Sequence, residues 1–512
     1  MERWLKEGRP YLIYTFFFIL IISTIKHGFE IILFQEYRFS ILLISINVFT
    51  LGLFSIILTF FVVKLNPEIN TEQTSKILVP VMVLTILFPI LDKFITSLSI
   101  SSFTRHELYD PFCIFSNHSI SLPAIFLALA VSIFFSAGVL RLKKDKVMIS
   151  FVLAPIAGLF AFLISTTPYI FTELLRDVSF LTFENTRELH LVFLCVLIIV
   201  NFLVMTLTYH RSNKSEFLSL IKNLKLFRTV HFVVMVIIGI VVVREIAPAN
   251  ALDVFSIQYF PYIFLPALCM ALTWQFTAMI NDYYDIDIDK FVHPDRPLIT
   301  GKISSDRFLQ LAVIAGGISA FLSLLIGILP FILNLTFIIA ALLYSIPPIR
   351  LKNRIFGYVC VGWASVVAFL TGIYSPVAWR SELHWFSTTT PRNIPFFPDI
   401  AVISLILFSV LSISPYINAI ADYEGDKEGG VKSIYTIYGL EKGKKIVSIL
   451  IMFLFLSPLL LFNSTIDILI LLSASLASVL IFYFIEKYQA IFGIYFSVLI
   501  YVLARFLGMI SF

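Results

Sequence analysis

Residues 274–307 read WQFTAMINDYYDIDIDKFVHPDRPLITGKISSDR, an apolar run that ends in four aspartates and a basic loop. If the helix continues past Asn281, its ~100° turn per residue predicts one shared face for Asp282, Asp285 and Asp289. Asp287 is then expected to point away from this face. Three like charges on one stripe repel one another, which indicates that a cation normally lies there. Oxygen ligands without nearby Cys or His favour Mg²⁺, which usually shares its ligands with phosphates.

A second stretch, NAIADYEGDKEGGVKS at residues 418–433, repeats this spacing. Asn418, Asp422 and Asp426 follow one another at intervals of four residues. Asn281, Asp285 and Asp289 of the first stretch have the same residue types at the same spacing. A solvated helix end explains one such cluster about as well as a metal does. Two clusters with matching spacing, each closing an apolar run, favour a shared metal site.

The composition places the chain in a membrane. Of 512 residues, 59% are hydrophobic and only 13% are charged, whereas roughly a quarter of the residues of a soluble domain are charged. The mean hydropathy is +0.95. The net charge of +5 comes from short basic loops, which orient spans rather than recruit nucleic acid, so no nucleic-acid partner is expected. The four cysteines are too widely spaced to predict a disulfide framework or a zinc site.

The chain is therefore predicted to be an all-α polytopic membrane protein with about fifteen transmembrane helices, because a span needs about 20 apolar residues. A basic linker at residues 209–228 is the best domain boundary, with six spans before it in residues 1–208 and nine after it in residues 229–512. The role of the first six spans is not revealed by any motif. The predicted spans lie near residues 10–26, 38–64, 77–97, 120–141, 147–168, 190–209, 230–245, 260–281, 307–328, 331–346, 355–378, 399–420, 443–461, 466–485 and 489–510.

Loop charges give the expected orientation. Alternation from an inside N-terminus places the basic loops 141–146, 209–228, 289–307 and 349–354 on the inner side. An even number of crossings separates the two aspartate motifs, so both are predicted to emerge on one face and share one site. We expect a multi-pass protein of the cell membrane whose active site faces the cytoplasm.

A third polar cluster, YSIPPIRLKNR at residues 344–354, lies between the two motifs. Two Mg²⁺ ions holding a diphosphate leave anionic oxygens that Arg350 and Lys352 can meet. For Arg354, anchoring of the loop on the inner side is the preferred interpretation.

The last 285 or so residues resemble the UbiA superfamily of intramembrane prenyltransferases. The family's paired aspartate motifs and its Tyr-x-x-Pro-Pro-x-Arg-x-Lys segment match here as NDYYDIDID, DYEGD and YSIPPIRLK. The resemblance implies a nine-helix bundle, a polyprenyl diphosphate donor and a lipophilic or aromatic acceptor. The short spacing from Asp289 to HPDRP (293–297) resembles the archaeal ether-lipid and chlorophyll-synthase branches, while Ile299, Thr300 and Gly301 replace a common Pro-Ser-Gly.

By this resemblance, one set of residues holds two Mg²⁺ ions and the donor diphosphate, and a second set contacts the diphosphate directly. The first set is Asn281, Asp282, Asp285, Asp289, Asn418, Asp422 and Asp426, of which the five aspartates are the metal ligands. The second set is Arg296, Lys302, Tyr344, Arg350, Lys352 and Lys427.

Two other interpretations stay open. Carboxylates could line the ion path of a transporter or channel, although such residues are expected near the middle of spans and these lie at the ends. A non-catalytic lipid-binding member of the family is the other alternative, against which the intact motifs argue.

Overall fold

The computed structural model describes residues 11–34, 41–65, 129–133, 154–159, 186–212, 214–246, 259–292, 294–380, 398–420, 423–428, 432–485 and 488–510. These residues form helices joined by short turns, and no strand occurs among them. The predicted all-α class is confirmed.

The described helices are numbered here in chain order. Before residue 250 they are α1 Tyr11–Phe34, α2 Ile41–Leu65, α3 Thr186–Ser212, α4 Lys214–Asn223 and α5 Leu226–Ile246. The next five are α6 Phe260–Tyr284, α7 Ile286–Val292, α8 Ser305–Ile326, α9 Ile328–Ser345 and α10 Val359–Arg380. The last six are α11 Pro398–Asn418, α12 Tyr423–Glu428, α13 Ile434–Tyr438, α14 Leu440–Leu456, α15 Thr465–Leu480 and α16 Tyr488–Phe506.

Seven helices in the described part are long and apolar enough to cross a membrane. They correspond to α3, α6, α8, α9, α11, α14 and α15, the last two extended by a short helical turn. The total of about fifteen spans stays a prediction, because the predicted span 77–97 lies outside the described residues and the spans 120–141 and 147–168 lie mostly outside them.

The chain divides into two compact units, and the functional boundary at the 209–228 linker stays a prediction. The first unit comprises Met1–Leu224, Asp253–Phe264 and His293–Ile314, and the second comprises Lys225–Leu252, Leu265–Val292 and Ala315–Phe512. Within the first unit, α2 packs against α1 and α3. An ion pair of 3.1 Å between Arg307 Nε and Glu216 Oε1 links the start of α8 to α4 within this unit.

In the second unit, α5 and α10 approach so closely that glycine is needed on both helices. A Cβ added to Gly239 would lie 2.1 Å from the backbone oxygen of Phe369, and one added to Gly372 would lie 2.0 Å from the oxygen of Val236. Small residues at such crossings allow helix backbones to touch, which is how spans pack without a hydrophobic driving force from water.

Buried polar side chains also hold spans of this unit together. The Thr273 hydroxyl of α6 lies 2.7 Å from Asn334 Oδ1 of α9, and Asn334 Nδ2 donates to Ser323 Oγ of α8 at 3.2 Å. Interhelical hydrogen bonds in membranes contribute roughly 0.6–2 kcal/mol each. These contacts fix α6, whose C-terminal end carries the first aspartate motif.

A buried ion pair joins α15 to α16. Asp467 lies in the first turn of α15 and is fully buried. Its Oδ1 lies 3.2 Å from Arg505 Nε and accepts a hydrogen bond from the Tyr501 hydroxyl. Ser464, the N-cap of α15, forms a reciprocal capping box with the same carboxylate.

We expect Asp467→Asn to lower the free energy of unfolding by about 2–3 kcal/mol, the scale for losing hydrogen bonds to a charged group. Thermal unfolding of the purified protein in detergent measures this. Asp399→Asn is the matched control, because Asp399 lies in the first turn of α11 and is exposed. Equal loss of stability in both variants would contradict this role of the ion pair.

Candidate functional site

The first aspartate motif lies where one long helix gives way to a short one. Helix α6 ends at Tyr284 and α7 begins at Ile286. The backbone N–H of Asp285 donates to the oxygen of Asn281 at 3.0 Å, and that of Asp289 donates to the oxygen of Asp285 at 2.8 Å. Because these bonds keep the α-helical spacing of four residues, the side chains stay in helical register across the break.

Burial separates the four aspartates as the spacing predicts. Asp282 is 2% exposed, and Asp285 and Asp289 are each 6% exposed, whereas the Asp287 side chain is 94% exposed. Lys290 donates to Asp287 at 2.8 Å, and this hydrogen bond holds the pKa of Asp287 below its usual value. Three carboxylates therefore belong to one buried face and the fourth belongs to the surface.

Asp285 is the centre of the site, because three side chains donate to it. Arg350 donates to its Oδ1 at 2.6 Å, Lys352 donates to its Oδ2, and Asn281 Nδ2 donates to the same Oδ2 at 2.8 Å. The basic residues of the third polar cluster thus meet the first aspartate motif. Arg350 also reaches the backbone oxygen of Tyr284 at 3.4 Å.

The segment that carries these two cations has a constrained backbone. Arg350 has φ 38° and ψ 62°, in the left-handed region, which costs a non-glycine residue about 1–3 kcal/mol. A Cβ on Gly357 would lie 2.4 Å from the oxygen of Leu351 and 3.0 Å from Lys352 Cα, so glycine allows the chain to fold back on this turn. The backbone is held in a shape that presents both cations to Asp285.

Lys225 is a site residue that sequence reasoning missed. It lies between α4 and α5, and its Nζ donates to Asp282 Oδ1 at 2.8 Å. The Lys225 side chain is 24% exposed and that of Asp282 is 2% exposed. The sequence offered one signal, a lysine just before the first span of the family-like part, but this lysine was counted only as part of a basic linker.

The other predicted site residues are placed as follows. Tyr344 is half-buried in α9, and Lys427 is exposed with its Nζ 5.9 Å from the centre of the Tyr423 ring. Arg296, half-buried, and Lys302, exposed, belong to the first unit. Asp422 lies outside the described residues, and Asn418 and Asp426 are described only as backbone in α11 and α12. The roles assigned to all these residues stay predictions.

The chemistry of the first motif fits Mg²⁺, which prefers carboxylate oxygens. Among the described residues, however, no three His, Cys, Asp or Glu side chains converge closely enough to hold a metal ion. Asp282 is paired with Lys225, and Asp285 is paired with Arg350 and Lys352. Metal binding would therefore use Asp282, Asp285 and Asp289 after these ion pairs rearrange, with Asp422 and Asp426 as further ligands.

Part of the chain matches a known protein family. Residues 246–491 match the model of the UbiA prenyltransferase family. We call residues 246–491 the UbiA region after this match. The UbiA region contains both aspartate motifs and the cluster with Arg350 and Lys352, while Lys225 lies before it.

The chain is also similar to curated relatives of two kinds, digeranylgeranylglyceryl phosphate synthases and chlorophyll synthases. The digeranylgeranylglyceryl phosphate synthase of Sulfolobus acidocaldarius is 29% identical over 204 residues, which is 40% of this chain and 67% of the relative. The synthase of Ignicoccus hospitalis is 28% identical over 31% of this chain, and the match spans 48% of that protein, about half its length. Chloroplastic chlorophyll synthase of Arabidopsis thaliana is 30% identical over 35% of this chain and 45% of its own length.

Two solved structures match the chain at low identity and with TM-scores below 0.5. One comes from structural work on digeranylgeranylglyceryl phosphate synthase in membranes. It is 18% identical, with a TM-score of 0.44, and the match covers 57% of this chain and 97% of that chain. The other is a UbiA homolog from Archaeoglobus fulgidus bound to GPP and Mg²⁺, with 22% identity and a TM-score of 0.40 over 57% of this chain and 100% of that chain.

Proposed function

We propose that the protein is a membrane-embedded, Mg²⁺-dependent prenyltransferase. It transfers a polyprenyl group from its diphosphate to a lipophilic or aromatic acceptor. The UbiA region does the chemistry, and the site faces the cytoplasm, as the distribution of Lys and Arg in the loops predicts.

The observation that carries this proposal is the meeting of Arg350 and Lys352 with the buried Asp285. Two cations on a carboxylate face form a mixed site that can hold a diphosphate together with its metal ions. Arg and Lys bind phosphate oxygens through charge-assisted hydrogen bonds, which are about twice as strong as neutral ones.

In the proposed reaction, the bond between the allylic carbon and the diphosphate oxygen breaks, and the electron pair leaves with the diphosphate. Arg350 and Lys352 stabilise the negative charge that develops on the leaving oxygens. Bound Mg²⁺ would supply Lewis-acid neutralisation of the same group. The acceptor nucleophile then forms a bond to the allylic cation and gives up its proton.

An apolar cavity in the second unit suits the prenyl chain. Its lining comes from α5, α11, α14 and α16 and includes Val242, Ile406, Val410, Phe455 and Val498. Along α11, Val410 lies eight residues before the end at Asn418, which is about 12 Å at 1.5 Å per residue. Apolar walls at this depth would contact the tail of the prenyl chain when its diphosphate is held at the aspartate motifs.

Further details of the site are part of the proposal. Two Mg²⁺ ions are held by the five motif aspartates, and Asn281 and Asn418 orient the ligands. Four other polar residues contact the donor diphosphate, namely Arg296, Lys302, Tyr344 and Lys427. The acceptor is unidentified.

The test uses membranes that contain the full chain, supplied with isotope-labelled geranyl, farnesyl and geranylgeranyl diphosphates. We expect a labelled lipid whose mass equals that of an acceptor plus one prenyl group. Membranes without the chain are the control. Failure to form any such product with every donor length would contradict the proposed activity.

We also expect a fragment that begins at Ser215 to keep measurable transfer. All three motif clusters follow this residue, and removal of an even number of predicted spans leaves the orientation unchanged. The fragment keeps Glu216 and its ion pair with Arg307. Lower stability is expected, because helix packing would be lost.

Product formation by the fragment in reconstituted lipid is compared with that of the full chain. The control is the same fragment with Asp285→Asn. If the inserted fragment is as inactive as this control, the first six spans complete the site and the two-domain division is wrong.

A further inference from the structure

Two buried aspartates of the first motif are paired with the chain's own cations. The three buried carboxylates, Asp282, Asp285 and Asp289, lie on one face, and three basic side chains pair with two of them. A divalent cation that arrives alone at Asp282 or Asp285 therefore meets a carboxylate that already carries a positive side chain.

Lys225 differs from the other two cations in its position. Arg350 and Lys352 share Asp285, whereas Lys225 contacts Asp282. Its ammonium lies 2.8 Å from a carboxylate oxygen. A Mg²⁺ ion would bind the same oxygen at about 2.0–2.1 Å, where its positive charge and that of the ammonium repel each other. The ammonium and a metal ion compete for the same carboxylate.

The Lys225 side chain can also leave this carboxylate. It extends from a short non-helical turn at residues 224–225, and it is 24% exposed. A lysine has a flexible four-carbon stem and three donors, so it can change partners at little cost in geometry. A diphosphate bound beside Asp282 would offer the ammonium a replacement anion.

We propose that Lys225 is an internal counter-ion that makes metal binding at the first aspartate motif depend on the donor diphosphate. Without diphosphate, the ammonium repels the metal from Asp282. With diphosphate, the ammonium pairs with phosphate oxygens, and Asp282 becomes a metal ligand. This inference rests on the proposed function, and it makes Lys225 a positioning residue that acts through Asp282.

Binding measurements on the purified full chain in detergent test this directly. One experiment titrates Mn²⁺ in the absence of diphosphate, and the other titrates ³²P-labelled inorganic pyrophosphate at saturating Mg²⁺. Lys225→Met removes the charge and keeps a chain of similar length. We expect Lys225→Met to bind Mn²⁺ about tenfold more tightly and pyrophosphate about tenfold more weakly, each corresponding to about 1.4 kcal/mol.

Two variants serve as controls. Lys222→Met removes an exposed charge from α4 and is expected to match the wild type in both titrations. Lys225→Arg keeps the charge and is expected to keep Mn²⁺ binding weak. A lysine with a merely structural role would not tighten Mn²⁺ binding when it is removed, so the sign of the effect separates the two accounts.

The outcomes are distinguishable. If Lys225→Met binds Mn²⁺ no more tightly than the wild type, the counter-ion role is wrong even if pyrophosphate binding confirms a diphosphate site. If the wild type binds no pyrophosphate with Mg²⁺, the proposed function itself fails. If Lys225→Met is unstable because Asp282 is left without its lysine, added Mn²⁺ must raise its melting temperature more than that of the wild type, and a smaller rise contradicts the proposal.

Discussion

Asp285→Asn is expected to abolish nearly all prenyl transfer while the protein still folds and inserts. The substitution removes the charge that Arg350 and Lys352 contact and removes a proposed metal ligand. Loss of a ligand weakens binding of the metal ion that would neutralise the leaving diphosphate, and loss of one electrostatic stabiliser of a developing charge typically lowers kcat about 10²–10³-fold. Initial rates of labelled lipid formation, normalised to the amount of inserted protein, measure the effect.

Asp287→Asn is the matched control for this variant. It makes the same chemical change two residues away, on a side chain that is 94% exposed and pairs with Lys290. We expect transfer to change little. Equal damage from both substitutions would show that the buried face does not define the site.

The same argument applies to the second motif. Asp422→Asn is expected to reduce transfer as strongly as Asp285→Asn, because the matching spacing predicts a second set of metal ligands. Activity close to wild type in Asp422→Asn would restrict the metal site to the first motif.

Arg350→Ala is expected to raise the KM for the donor diphosphate at least about tenfold at saturating Mg²⁺. Its guanidinium lies 2.6 Å from Asp285 and is 23% exposed, so it can turn toward a bound phosphate oxygen. A charge-assisted hydrogen bond of this kind contributes about 1.5–3 kcal/mol. Donor titration of initial rates separates KM from kcat.

Arg354→Ala is the control for this titration. Arg354 follows four residues later, is exposed, and belongs to the same basic cluster. A loop anchor and a diphosphate contact are thus compared within one segment. An unchanged donor KM in Arg350→Ala would contradict the diphosphate contact and would show that Arg350 only anchors the loop.

Local periodicity explains why much of the first motif could be predicted from the sequence. The buried face of Asp282, Asp285 and Asp289 depends only on the helical turn, and the hydrogen bonds across the break at Asp285 preserve it. The sequence predicted a diphosphate contact for Arg350, whereas the direct ion pair of Arg350 with Asp285 appeared only in the structure. The break itself, between Tyr284 and Ile286, has no counterpart in the spacing of the aspartates.

Contacts that depend on how helices pack could not be predicted in this way. Lys225 reaches Asp282 because the start of α5 lies beside the end of α6, and no periodicity within either segment encodes that neighbour. The left-handed backbone of Arg350 and the close approach of Gly357 to Leu351 likewise arise from tertiary constraints. The ion pair of Asp467 with Arg505 joins two helices that contain no other charged residue.

The central claim is that the UbiA region breaks an allylic diphosphate in a Mg²⁺-dependent reaction. The most direct measurement follows labelled geranylgeranyl diphosphate in membranes that contain the full chain, with Mg²⁺ or with a chelator, and counts labelled lipid and released diphosphate. The account predicts equal amounts of both products, only with Mg²⁺, and almost none from the Asp285→Asn protein. Intact donor after incubation with Mg²⁺, or equal product from the Asp285→Asn protein, would contradict it.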